Sequence, residues 1–244
     1  MLENGHGQAS GDWDDATGRP AVTVDVVVFG VFGSLDDDDG DERPELRVLL
    51  VHRRGPPFQG AWAIPGGLVH LNESVDAAAR RELEEETGLH DVYLEQLYTF
   101  GDLDRDPRTR VISVAYYALL PGHVQEARGA GEDAVWVPVT ALPANMAFDH
   151  ARVLDVALRR LRAKADYAGI AREFLPARFT LRQLRRIYET VLDRPLDRAN
   201  FTRRIHLTEG DIEETGETDR SGAHRPARLY RYRRDHISGA RDKE

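Results

Sequence analysis

The chain has 244 residues, with 33 Lys and Arg against 42 Asp and Glu, a formal net charge of −9 and no cysteine. The lack of cysteine excludes disulfides and thiolate metal sites. No apolar run approaches the length of a membrane-spanning helix, which argues against a membrane partner. The N-terminal twenty residues have neither a basic n-region nor an apolar h-region, so they do not read as a secretory signal, and a cytoplasmic protein is the expectation. The charge is uneven: residues 171–244 hold 17 basic against 13 acidic residues, and 171–208 hold nine against four. Two modules with different partners would give this asymmetry, and so would ordinary fluctuation along a chain.

In chain order, residues 1–20 are polar and Gly-rich and are expected to form a disordered tail. AVTVDVVVFGVF (21–32) reads as a buried strand and ELRVLLVHRR (45–54) as its partner. Between them SLDDDDGDER (34–43) reads as a solvated acidic insertion. A Gly/Pro-rich stretch (55–67) precedes a helix from Ser74 to Thr87, with Ser74 as N-cap and Gly88 just past the end. Strands are expected at 92–100, 110–120 and 134–139. A helix is expected at 148–167, from the spacing of Leu154, Leu158, Leu161 and Ala165. This order implies an α/β layered domain over 21–168. In the remainder, 169–236, Thr180 caps a helix with apolar Leu181, Leu184, Ile187, Tyr188 and Val191. Asp193–Pro195 turns the chain, and Asp197 caps a second helix with Phe201 and Ile205 facing inward. An alternating strand follows at 228–233. Helix, turn, helix and hairpin is the order of a winged helix-turn-helix, with a short tail at 237–244.

The first helix carries the chemistry. Glu82, Glu85 and Glu86 are spaced i, i+3, i+4 and so share one face, where like charges repel unless a cation compensates. Their hard oxygens suit Mg2+ or Mn2+. An acidic run is by itself more often a solvated surface, but the context is specific. GLVHLNESVDAAARRELEEETGL (67–89) fills the pattern G-x5-E-x7-R-E-U-x-E-E-x-G-U, U being aliphatic, through Gly67, Glu73, Arg81, Glu82, Leu83, Glu85, Glu86, Gly88 and Leu89. This resembles the Nudix box, and the resemblance covers roughly 21–165. It implies an α/β/α sandwich around a mixed sheet. It also implies divalent ions bound by Glu82, Glu85 and Glu86 with the Gly66 carbonyl, and Arg81 and Glu73 orienting those carboxylates. The family's general base varies, so a box glutamate, Glu126 or Glu132 all remain open.

Three features resemble Nudix proteins that recognise ADP-ribose. PPFQGAWAIPGG resembles their loop, with Phe58 and Trp62 near the ligand and Gly67 at its end. RDPRTRVISVAYYALL (105–120) resembles their strand and preceding loop. Arg105, Arg108 and Arg110, together with Arg53, can supply charge-assisted bonds to phosphate or ribose. The resemblance implies ADP-ribose or a related nucleoside diphosphate as ligand.

FTLRQLRRIYETVLDRPLDRANFTRRI (179–205) with RPARLYRYRR (225–234) resembles the C-terminal winged helix of Nudix-related transcriptional regulators of NAD metabolism. That resemblance implies binding to a double-stranded DNA operator as a homodimer. Asn200, Arg203 and Arg204 are candidate base readers, since Asn suits adenine and Arg guanine. Arg185, Arg186 and Arg198 are candidate phosphate contacts, and Arg228, Arg231 and Arg233 are expected on the wing. Asp211, Glu213, Glu214 and Glu217 are not expected against DNA. Two readings stay open: a ligand-responsive DNA-binding regulator, or a metal-dependent ADP-ribose pyrophosphatase with an accessory module. The box has lost no fixed position, so both can hold together.

Overall fold

A computed structural model describes residues 19–36, 43–88, 92–121, 133–167, 169–208, 212–219 and 226–233. The N- and C-terminal tails, most of the acidic insertion, Leu89, Glu126, Glu132 and Asp211 lie outside the described residues.

Strand β1 (Ala21–Phe32) organises the molecule. It runs parallel to β6 (Val111–Leu120), and β6 pairs antiparallel with β5 (Tyr93–Phe100). On its other edge β1 has two partners. Phe29–Phe32 pair with β2 (Glu45–His52), and Thr23–Asp25 pair with β4 (Gly66–Leu68). Between these partners the Val26 amide donates to the Pro65 carbonyl at 2.8 Å, so the segment just before the Nudix-like box is held at the fork of the sheet. Strand β2 also pairs with β3 (Trp62–Ala63) and β7 (Ala134–Pro138), completing a seven-stranded mixed sheet.

The apolar run in β1 is continuous because both faces are covered. Val24, Val26 and Val28 face one way, with Leu49, Tyr116, Ala118 and Leu120. They pack under Ala78, Ala79 and Leu83 of α1 (Val75–Thr87). Val27, Phe29 and Val31 face the other way, onto Val153, Leu154, Ala157 and Leu161 of α2 (His150–Tyr167). The result is the expected α/β/α sandwich. Helix α1 is capped as the sequence predicts: the Ser74 hydroxyl accepts from the Ala77 amide, and Gly88 takes a left-handed φ of 65° while its amide closes onto the Glu84 carbonyl.

A 3-10 turn (Ile170–Phe174) leads into α3 (Leu181–Leu192) and α4 (Arg198–Thr208), then the antiparallel pair β8 (Ile212–Asp219) and β9 (Ala227–Tyr232). Thr180 and Gln183 form a reciprocal capping box at the start of α3, and the Asp197 carboxylate accepts from the Asn200 amide at the start of α4. Phe179 bridges Tyr230 of β9, which ties the wing to the helices. This is a winged helix-turn-helix. Its core is not separate. Phe174, Phe179, Leu184, Ile187, Val191, Phe201 and Ile205 belong to the same cluster as Leu161 and Phe29.

Because that cluster is continuous, Phe174→Ala should cost about 3–5 kcal/mol. Denaturant unfolding followed by tryptophan fluorescence and by circular dichroism should still give one coincident transition. Two separated transitions would mean that the helices on the two sides of Phe174 do not share a core.

Candidate functional site

The box folds around Arg81. Its Nη2 donates to Glu73 Oε1 at 2.8 Å and to the Leu68 carbonyl at 3.0 Å, and its Nε donates to Glu73 Oε2 at 3.1 Å. Its Nη1 donates to Glu82 Oε1 at 2.7 Å and lies 3.5 Å from Glu85 Oε2. Glu73 also accepts from the His70 amide at 2.9 Å. These bonds, first the Arg81 side chain and then the His70 amide, hold the Glu73 carboxyl down at about 2. The loop before α1 is thereby clamped to the helix by one guanidinium using its planar fork.

Glu82 is 8 % exposed and lies directly against the backbone of Gly67, where any Cβ would collide with its carboxylate. Gly66 is equally constrained, since a Cβ there would collide with the Val24 carbonyl. Burial pushes the Glu82 carboxyl up, against the pull of Arg81. Glu86 is also pushed up, first by burial and then by Glu82, Glu85 and Asp133. Asp133, at the start of β7, thus faces the box helix, and it is ion-paired with Arg54. No sequence pattern marked it. Among the described residues no three carboxylate or imidazole groups converge on one point, and Arg81 engages Glu82. The donor set still fits a divalent cation: hard oxygens crowded on one helix face, two of them costly to ionise, against glycine backbone that leaves room.

Beside the box, Arg53 is half-buried. It donates to the Pro57 carbonyl at 2.9 Å and lies over the Phe148 ring at 4.9 Å. Burial lowers its pKa, and neighbouring Arg108 lowers it further while Asp106 opposes. Arg108 is gripped bidentately by Asp106 at 3.0 and 2.8 Å. Phe58 meets Phe148 edge to face at 4.9 Å, and both are held at left-handed φ, 61° and 52°. Bulky residues occupy that region only under constraint, which is a common feature of ligand sites. Phe148 had no signal in the sequence beyond its place before a helix. Trp62 is half-buried against His52.

Two expected ligand contacts are otherwise engaged. Arg105 is 8 % exposed and bonded internally to Asp25 at 3.0 Å and Asp149 at 2.7 Å, rather than presented to a ligand. Burial works against its charge, but Asp149 and Asp25 outweigh it and raise its pKa. Ser113 donates to the same Asp25 at 2.5 Å, and His150 Nε2 lies 3.5 Å away. Burial keeps the His150 imidazole below its ordinary pKa, and its Nδ1 accepts from the Ile64 amide at 2.9 Å. Arg110 braces its own turn through the Asp102 carbonyl at 2.9 Å.

On the winged helix, α4 exposes Arg198, Asn200, Arg203 and Arg204, with Arg203 donating to Asn200 at 3.1 Å. Arg185 and Arg186 differ from expectation. They line a cleft against β2 and β7 of the sheet domain, and Arg185 is paired with Glu189 at 2.8 Å. The periodicity put these residues opposite the apolar face but could not reveal the second domain packed there. The wing arginines Arg228 and Arg231 pair with Glu214 at 3.0 Å and Glu213 at 2.7 Å, and Arg233 with Glu213 at 3.3 Å. Arg231 also holds the Glu213 carboxyl below its usual range. Among the described wing residues, Arg228 and Arg231 therefore each have an acidic neighbour across the hairpin, through exposed pairs that are individually weak.

The NUDIX domain family model matches residues 26–157, and the NrtR DNA-binding winged helix domain model matches 171–232. The ADPR responsive transcriptional repressor NtrR of Acinetobacter baylyi is 37% identical over 217 residues, covering 87% of this chain and 82% of that protein. The ADP-ribose pyrophosphatase of Methanocaldococcus jannaschii is 35% identical over 141 residues, 58% of this chain and 75% of the relative. The crystal structure of Shewanella oneidensis NrtR with a 27mer DNA superposes with a TM-score of 0.73 at 32% identity, covering 87% of this chain and 93% of that one.

Two outcomes follow from the site's electrostatics. Carboxyls whose folded pKa is raised bind more protons folded than unfolded, so Glu82 and Glu86 make the metal-free chain less stable as pH rises above the ordinary carboxylate range. Glu86→Gln should raise the metal-free melting temperature at neutral pH, and the further rise expected when Mg2+ is added to the wild type should be lost. An equal Mg2+ response in both proteins would remove Glu86 from the ion's shell. Separately, Arg105→Ala leaves Asp25 and Asp149 without their cation and should cost about 3–5 kcal/mol in denaturant unfolding. A neutral result would mean the pair is not buried in solution.

Proposed function

Because the chain belongs to the Nudix family and carries the winged helix of its NrtR branch, we propose that it is an ADP-ribose-responsive transcriptional regulator of NAD metabolism. A Nudix sensor (21–168) would act on a DNA reader (169–236), working as a homodimer in the cytoplasm. The observation that carries this reading is the joining, in one chain with one continuous core, of a complete diphosphate box and an exposed basic helix α4. Support also comes from a repressor relative aligned across both modules.

Members of this family generally use a divalent metal. Here Glu82, Glu85 and Glu86, with the Gly66 carbonyl, would hold Mg2+ or Mn2+, which supplies neutralising charge for a bound diphosphate. Arg81 and Glu73 fix the carboxylates. Arg53 and Arg108 offer guanidinium donors to phosphate or ribose, with Phe58 and Phe148 as an aromatic wall beside them. On DNA, Asn200, Arg203 and Arg204 of α4 would meet base edges, with Arg198 on a phosphate. ADP-ribose must bind one dimer arrangement better than another to change operator affinity.

A second reading, a metal-dependent ADP-ribose pyrophosphatase yielding AMP and ribose 5-phosphate, is favoured by the unbroken box and the 35% identity to an enzyme of that name. The two functions can coexist in this chain.

A gel shift on DNA upstream of the chain's own gene, titrated with ADP-ribose, separates the readings. The complex should form, respond to ADP-ribose, and weaken about 10- to 100-fold in Asn200→Ala combined with Arg203→Ala. A shift indifferent to ADP-ribose sinks the sensor. Brisk AMP release that is lost in Glu86→Gln, with no shift on any upstream DNA, leaves the hydrolase alone standing.

A further inference from the structure

A cleft of about 530 Å3 lies where the two domains meet, away from the box and from the exposed face of α4. One wall comes from the start of β2 and the end of β7, the other from α3 and the turn after it. Its volume is in the range of small-molecule sites. Five guanidiniums line it, those of Arg43, Arg162, Arg185, Arg186 and Arg194, against three carboxylates, in a chain whose net charge is −9. Two of them are already oriented: Arg185 by Glu189 at 2.8 Å, and Arg162 by the Val191 carbonyl at 3.2 Å. Arg43 and Arg194 are exposed at its edges. The Glu189 carboxylate also accepts from the Leu196 amide at 2.8 Å, which fixes the turn that carries Arg194 and Pro195.

The cleft is not uniformly polar. Pro44, Pro138, Val139 and Pro195 give it an apolar strip alongside the guanidiniums. A bare inorganic ion has no use for such a strip, whereas a flat or aliphatic body attached to a phosphate does. Arginine forks match phosphate oxygens bidentately. We propose that this interdomain cleft is a second ligand site that takes a phosphorylated nucleoside, independently of the Nudix box. Since its walls belong to different domains, an occupant there senses their mutual arrangement, and only an arrangement that closes the walls on it gains from the binding.

Calorimetry on the full-length chain with AMP tests this, with inorganic phosphate as the second probe. AMP binding should survive in Glu86→Gln, whose box is disabled. It should weaken at least about tenfold in Arg43→Ala combined with Arg194→Ala, the loss expected for two charge-assisted bonds. Both arginines are exposed, so the double variant should melt with the wild type; if it does not, the Gln pair replaces it. AMP should also bind more tightly than inorganic phosphate. The proposal is overturned if Glu86→Gln alone abolishes AMP binding, if the arginine pair leaves it unchanged, or if inorganic phosphate binds as tightly as AMP. It is equally overturned if the arginine pair weakens DNA binding and not AMP binding, which would make the cleft a DNA-backbone contact. None of these outcomes depends on whether ADP-ribose alters operator binding.

Discussion

The buried carboxylate of Asp25 is the constraint on which the site rests. It stands on the central strand at 6 % exposure, where an ionised group without partners would cost several kcal/mol. Arg105, Ser113 and His150 surround it, drawn from a loop, from β6 and from the start of α2. Gly66 packs so closely that a Cβ there would stand 3.0 Å from Asp25 Oδ1. Asp25 therefore ties together several segments and presses on Gly66, which also lies against the Val24 carbonyl, while Gly67, which opens the box, is pressed separately by the Glu82 carboxylate.

The same network starts the route to the reader. Asp149 immediately precedes α2 and His150 opens it, and His150 is bonded to Ile64 just ahead of the box. Further along, Leu161 and Ala165 of α2 lie in one cluster with Phe174, Leu184 and Ile187, and Arg162 reaches the end of α3. Helix α2 thus touches the sensor's loops at one end and the first reader helix at the other. Coupling between sites typically amounts to 1–3 kcal/mol, and it needs an element that both sites bias. Helix α2, with ionic contacts at its first turn and apolar contacts at its last two, supplies the contiguous packing between the two modules that such coupling travels through.

Much of this was legible in the residues. Apolar, β-branched runs marked the principal strands, and helical spacing with caps at Ser74, Thr180 and Asp197 marked the helices. The contacts of Arg81 with Glu73 and Glu82 join residues that the resemblance to the Nudix box had singled out together. The short strands β3 and β4 left no pattern, since two or three residues carry no period. Arginine roles were the least legible. Charge and helical phase expose a guanidinium but cannot say what comes to meet it: Arg105 met Asp25 and Asp149, Arg185 met Glu189 at a domain junction, and Arg231 met Glu213 across a hairpin. The partners of Arg105 are distant in sequence and that of Arg231 is set by hairpin register, which is tertiary information; Arg185 and Glu189 are helical neighbours four residues apart, and only the domain packed beside them was hidden. Phe148 and Asp133 were missed for the same reason, as they reach the site through loop geometry alone.

That redistribution of arginine bears on how the reader would hold DNA. Affinity for the backbone grows with the number of phosphates neutralised, and log K falls by about 0.9 per phosphate for each decade of salt. The C-terminal region is rich in arginine, yet among the described residues the wing arginines are matched by Glu213 and Glu214, and Arg185 is held at the junction by Glu189. Helix α4 presents Arg198, Arg203 and Arg204 to solvent. Few phosphate contacts from one reader give weak binding that salt erodes only gently, and discrimination then rests on base edges more than on charge. A second reader, tethered at the right spacing, turns two weak contacts into one strong one through effective concentration. A ligand that changes the spacing of two tethered readers would therefore release DNA without touching a single contact on α4.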